Sequence, residues 1–120
     1  NLIANALKFS DPKTPPHIRI TSQNIKYNKL NVPALPPLKE YCHISITDNG
    51  IGFDETFSSK IFDVFQKLHA KEEYAGTGIG LAIVKKIVEN HNGAITASSV
   101  LKKGSTFNIY IPAATKAKQV

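Results

Sequence analysis

Gly76, Gly78 and Gly80 alternate over five residues and run without a linker into Leu81-Ala82-Ile83-Val84-Lys85-Lys86-Ile87-Val88. In that second half Ile83/Ile87 and Val84/Val88 repeat at i+4, while Lys85, Lys86 and Glu89 take the other face, which predicts a helix. A glycine run that opens a helix brings bare backbone N–H groups close to a ligand. The helix's own unpaired N–H groups and positive dipole end favour an anion, most often a phosphate. The same glycines also suit a flexible loop that needs them only for tight turns. Two stock phosphate motifs are excluded. There is no Gly-Lys-Ser/Thr ending, so this is not a Walker P-loop. The spacing Gly-x-Gly-x-Gly, preceded by the non-strand Lys71-Glu72-Glu73-Tyr74-Ala75, argues against a dinucleotide fold.

Two further places hold polar groups where propensity or burial makes them costly. Residues 1–10 read as a helix on which Asn1, Asn5 and Lys8 (i, i+4, i+7) share one stripe, flanked by Leu2, Ile3, Ala6, Leu7 and Phe9. Asparagine is a mediocre helix former, so the stripe is either an exposed face or a polar strip lining a pocket. Residues 42–48 read as a strand in which Ile44, Ile46 and Asp48 share a face. If the isoleucines face the core, Asp48 does too, and an unpaired buried carboxylate costs several kcal/mol. It either accepts from N–H groups of the following turn, Asn49-Gly50-Ile51-Gly52, or from a ligand amine.

The remaining elements must position these groups. Asp11-Pro12 ends the first helix and Pro15-Pro16 keeps the chain extended. Residues 17–23 alternate as a strand, with Ile18 and Ile20 on one side, pairing antiparallel with residues 42–48. Residues 24–41, with three prolines, form a long surface connection. Residues 56–68 predict a helix with Phe57, Ile61, Phe62, Val64, Phe65 and Leu68 as its core stripe, and polar residues 69–75 form a cover. Asn92-Gly93 stops the glycine-led helix. Residues 94–100 and 106–112 form a hairpin whose inner face is Phe107, Ile109 and Ile111, and residues 113–120 are a loose tail.

Composition narrows the classes. A 120-residue chain with 42% hydrophobic content makes one domain with a single core. No apolar run approaches a membrane span and no signal peptide is present. Cys42 is the only cysteine, which excludes an intrachain disulfide and favours a reducing compartment. The net charge of +6 comes from scattered lysines without aromatic interleaving, which suits an anionic ligand better than a nucleic-acid groove. His17, His43, His69 and His91 have no metal-ligand spacing, and no Ser/His/Asp arrangement stands out.

In order, the chain offers Asn1-x-x-x-Asn5-Ala6-x-Lys8-Phe9, Asp48-Asn49-Gly50-Ile51-Gly52-Phe53, Ile61-Phe62-Asp63-x-Phe65-x-Lys67, Gly76-Thr77-Gly78-Ile79-Gly80-Leu81 and Gly104-Ser105-Thr106-Phe107. This resembles the ATP-binding catalytic domain of two-component sensor histidine kinases, matching their N box, first glycine box, F box, second glycine box and closing hairpin in order. The resemblance implies an α/β (α+β) two-layer sandwich, the Bergerat ATP-binding fold, with a mixed, mainly antiparallel sheet packed on helices. Residues 1–112 would be the catalytic domain, shortened at its N-terminus because the chain begins at the N box, and residues 113–120 a C-terminal tail.

The resemblance also implies roles. Asn5 would hold Mg²⁺ bridging the phosphates of ATP, with Asn1 and Lys8 nearby. Asp48 would accept from the adenine amine, and Gly50 and Gly52 would let backbone approach the base. Lys67 would reach the phosphates. Gly76, Thr77, Gly78 and Gly80 would hinge a lid and begin the phosphate-facing helix, with Leu81 packing beneath; Thr106 would make a water-mediated adenine contact. Phosphoryl transfer asks mainly for positioning and charge neutralisation, which Mg²⁺, Asn5, Lys8, Lys67 and the helix N-terminus would supply. The acceptor histidine would lie on upstream dimerisation helices of the same protein, with a response regulator downstream. The implied setting is cytoplasmic, with no nucleic acid and no membrane contact by this domain, whether or not the full-length protein is membrane-anchored. This fragment would be monomeric and the full-length protein a homodimer. Two alternatives share the boxes: an inactive nucleotide-binding or interaction module, and an anti-sigma-type serine kinase of the same superfamily.

Overall fold

A computed structural model describes residues 1–30, 32, 35–36, 40–58, 60–62 and 77–113; for residues 77–80 it describes the backbone only. The element order is α1 (Leu2–Lys8), β1 (Ile18–Lys26), β2 (Glu40–Asp48), α2 (Thr77–Asn90), β3 (Ala94–Val100) and β4 (Gly104–Pro112). The four strands form one sheet in the order β1-β2-β4-β3, and every pairing among the described residues is antiparallel.

Alternation along the strands sorts the sheet into two faces. Ile46, Phe107, Ala97 and Ile95 lie on one face and join Leu2 of α1, Leu81 and Val88 of α2, and Phe53, Ile61 and Phe62 in the main core. Phe62 meets Phe107 edge-on, with ring centroids 6.1 Å apart. The two-layer sandwich expected from the sequence is thus present, and Ile44 and Ile46 do face the helices. Ile18 packs against this core, whereas Ile20, on the same face, stays 52% exposed. It sits on the edge strand β1, beyond the cover that α1 and α2 provide.

The connection after β1 departs from the surface loop expected. β1 continues to Lys26, a 3₁₀ turn spans Tyr27–Lys29, and Leu30, Val32 and Leu35 fold back onto Tyr41, Ala94 and Tyr110. Those three residues lie on the sheet face opposite the helices, where Leu35 becomes 3% exposed and Tyr41 wholly buried. The Tyr41 hydroxyl donates to the Pro36 carbonyl at 2.6 Å, so the one polar atom of that ring is satisfied. The apolar residues Leu30, Val32 and Leu35, not the prolines, carry the packing of this segment.

Two element ends also differ. Glu55–Phe57 is a 3₁₀ turn capped by Asp54, whose Oδ1 accepts from the Thr56 N–H and hydroxyl at 2.9 Å each. Residues 60–62 continue as turn, and the rest of the helix expected over 56–68 lies outside the described residues. At the end of α2 the left-handed residue is Asn92 (φ 64°), while Gly93 donates to the Val88 carbonyl at 3.0 Å.

Candidate functional site

Asp48 ends β2 on the helix-facing side of the sheet, opposite Ser105 of β4. Its Oδ1 accepts from the Gly50 N–H at 2.8 Å, and the Ser105 N–H donates to the same carboxyl group. Burial is the stronger influence and holds the carboxyl above its ordinary range, against the pull of these two donors. Of the two roles open to Asp48, the structure shows the bond to its own turn, and the carboxyl is half-buried.

The turn it opens is fixed on both sides. The Ile51 N–H donates to the Phe9 carbonyl at the end of α1 (2.9 Å), and a Cβ on Gly50 would lie 2.5 Å from that same oxygen. Gly52 has φ +68° and passes against the Val100 carbonyl. The two glycines are thus required for close backbone packing within the protein, a cause the sequence reading did not include. The Ile51 carbonyl accepts from Lys102 at 2.6 Å, which ties the turn to the β3–β4 hairpin. Asn49 holds the other flank: its Oδ1 accepts from the His17 N–H at 2.8 Å, and its amide donates to the Pro15 carbonyl.

Through the Phe9–Ile51 bond, the asparagine stripe of α1 is anchored to the turn after Asp48. Asn1 and Lys8 are exposed and Asn5 is half-buried. The Asn5 Nδ2 group is buried and, among the described residues, has no hydrogen-bond partner. A buried donor left without a partner costs about 1–3 kcal/mol. α1 also meets α2, whose first turn begins at Thr77 and includes Gly78 and Gly80. Leu81 is buried beneath, in the main core. Lys67 and Gly76 lie outside the described residues.

Thr106 lies on β4. It pairs with Thr47, hydroxyl to hydroxyl at 3.1 Å, so its side chain is on the face away from Asp48. The period-two rule puts Ser105, one residue earlier, on the Asp48 side. The strand register could have revealed this: counting back by two from inward-facing Phe107 reaches Ser105, not Thr106. Ser99 was also missed. It is buried on β3, pairs with Ser105, and bonds into the Asp48 turn through Phe53. An open cavity of about 380 Å³ at this end of the sheet is lined by residues that include Asp48, Glu55, Ser99, Ser105 and Thr106.

Among the described residues no group of three or more His, Cys, Asp or Glu side chains is arranged to hold a metal ion, and no helix is long and apolar enough to cross a membrane.

Comparison with known proteins gives a consistent picture. Residues 1–115 match the family model described as histidine kinase-, DNA gyrase B-, and HSP90-like ATPase. The chain is 45% identical over 112 residues to cyanobacterial phytochrome A of Nostoc sp., covering 93% of this chain and 13% of that protein. It is 39% identical over 116 residues to the sensor protein kinase WalK of Staphylococcus aureus, covering 93% of this chain and 24% of that protein. The chain thus spans a small part of the curated relatives it matches. Among solved structures, the catalytic domain of histidine kinase ThkA superposes with a TM-score of 0.64 at 28% identity, covering 92% of this chain and 60% of that one. The mycobacterial sensor histidine kinase MprB gives 0.63 at 25% identity, covering 92% and 66%.

Proposed function

Because this chain belongs to the histidine kinase-, DNA gyrase B-, and HSP90-like ATPase family, we propose that residues 1–112 bind Mg-ATP and present its γ-phosphoryl group to a histidine elsewhere in a two-component sensor kinase. One observation carries the reading: a half-buried carboxylate, Asp48, held above its ordinary pKa at the end of a strand, beside a glycine turn pinned to α1. A carboxylate desolvated in this way discriminates strongly for a ligand that donates, as the adenine amine does.

The chain's own residues divide the work. Asp48 accepts from the base, and the pinned Gly50–Gly52 backbone walls it. The buried Asn5 amide faces the phosphate end, with Asn1, Lys8 and Lys67 supplying further polar and cationic groups. The start of α2 (Thr77, Gly78, Gly80) directs backbone N–H groups at the phosphates. Magnesium fits this donor set. It is held by few protein oxygens and completes its shell with phosphates and water, so the Asn5 amide oxygen would suffice without a carboxylate cluster, of which there is none among the described residues. Bound there, the ion would neutralise charge on the phosphates. The acceptor histidine and its dimerisation helices, the response regulator and a cytoplasmic setting belong to the same reading, as does a monomeric state for this chain alone.

Calorimetric titration with ATP, with and without Mg²⁺, tests it. The wild-type chain is expected to bind in the micromolar to millimolar range, and Asp48→Asn to lose at least about tenfold, the loss of one charge-assisted hydrogen bond. Asn5→Ala is expected to abolish the Mg²⁺-dependent part of affinity while leaving the Mg²⁺-independent part. Equal binding by wild type and Asp48→Asn would remove the pocket assigned here.

A further inference from the structure

We propose that Ser99, a β3 residue outside every motif named above, is a positioning residue that sets the shape of the base-binding turn and the hydrogen-bond direction of Ser105. The proposal rests on the nucleotide reading above and adds to it a residue that reading does not use.

The geometry is closed on all sides. Ser99 is 7% exposed. Its Oγ accepts from the Phe53 N–H at 2.8 Å, donates to the Gly104 carbonyl at 2.7 Å, and lies 3.1 Å from the Ser105 Oγ. Its own N–H donates to the Glu55 carboxylate at 2.8 Å, which draws that carboxyl below its usual range. One hydroxyl thus joins the end of the Gly50–Gly52 turn to the first residue of β4. Gly52 and Gly104 both need glycine where they meet these segments: Gly52 runs against the Val100 carbonyl and the Ser99 Oγ, and Gly104 against the Asp48 carbonyl. The Asp48 turn and the hairpin are therefore packed backbone to backbone, with the Ser99 hydroxyl as the side chain between them.

Counting protons gives a second consequence. A serine hydroxyl has one hydrogen and two acceptor lone pairs. The Gly104 carbonyl can only accept, so the Ser99 hydrogen is committed to it. The contact between the two hydroxyls then requires Ser105 to donate, and Ser105 keeps only acceptor lone pairs for its other neighbours. Beside Asp48, its cross-strand partner, this makes an acceptor-only edge. Such an edge suits a base that offers an amine and penalises one that offers a carbonyl in the same place.

The test is ATP and GTP affinity of the chain for wild type, Ser99→Ala, Ser99→Thr and Thr96→Ala, the last an exposed residue on the opposite face. Ser99→Ala is expected to weaken ATP about tenfold and to reduce the preference for ATP over GTP, since the freed Ser105 hydroxyl can then donate to a carbonyl. Ser99→Thr, which keeps the hydroxyl, restores both, and Thr96→Ala changes neither. A purely structural role would lower thermal stability and weaken both nucleotides equally, and that outcome overturns the proposal, as does unchanged affinity and selectivity in Ser99→Ala. Amide hydrogen exchange of the wild-type chain keeps the test valid if Ser99→Ala does not fold. The Phe53 N–H is expected to be protected without nucleotide, and exchange as fast as an exposed turn amide overturns the proposal. Failure of folded wild-type chain to bind ATP would instead remove the nucleotide reading, which separates the two failures.

Discussion

Asp48 places stability and function in opposition at a single side chain. Its carboxyl is held above the ordinary value of 3.8, chiefly by burial, so the folded chain resists ionisation that the unfolded chain accepts freely. The energetic sign follows. Below the unfolded pKa both states are protonated and burial costs nothing in charge; as pH rises through the raised folded value, stability is lost and stays lost at neutral pH. Asp48→Asn removes the charge and retains one oxygen as acceptor for the Gly50 and Ser105 N–H groups. The variant is expected to unfold at a temperature equal to or above wild type at pH 7, with the difference shrinking as pH falls towards 4. Thermal unfolding across that range checks it, and a variant clearly less stable at neutral pH would mean that the ionised form is favoured by the fold. ATP affinity has the opposite sign, because the acceptor must be ionised: it should fall on acidification at a pH above the normal aspartate range.

At the scale of elements, the sheet separates two cores with different duties. Ile46 and Phe107 face α1 and α2, whereas Tyr41 and Tyr110 face the segment that returns from β1. His43 stacks on Tyr110 with centroids 4.6 Å apart and contacts Asn108 through Nε2 at 2.8 Å, which extends this second layer towards the sheet centre. Leu35 is buried in the second core. Leu35→Ala is expected to cost about 2–4 kcal/mol, the range for a buried leucine. ATP affinity should stay within about twofold, because Asp48 and its turn lie across the sheet and depend on the other core. Denaturant unfolding beside nucleotide titration separates the two effects. A matching loss of affinity would mean that the segment after β1 shapes the pocket through the strands.

For the molecule as a whole, the legible features were those with a strict period or a strict steric rule. Alternation in Cys42–Asp48 placed Asp48 on the core side, the i+4 repeats gave α2, and the inner face of β4 followed from Phe107 and Ile109. What the sequence could not give was set by contacts distant along the chain. Leu35 finds Tyr110, Gly50 is forced by Phe9, and Ser99 acts on Phe53 forty-six residues away. Motif spacing singles out Thr106 but, unlike strand register, carries no face, and Thr106 shares that of Thr47. The same long-range wiring makes a global prediction. α1, the Asp48 turn and the start of α2 come from three separate stretches and meet through α1, so binding at the proposed site should stabilise the whole domain and not one loop. A ligand at a hundred times its Kd adds about 2.7 kcal/mol to the folded state. For a domain of this size that is a rise of roughly 10 °C in Tm. Mg-ATP is expected to produce it in wild type, Mg²⁺ alone to produce none, and Asp48→Asn to show only the small rise left by its weaker binding. An equal rise in wild type and Asp48→Asn would place the nucleotide away from this turn, because a ligand that does not touch Asp48 cannot register its loss.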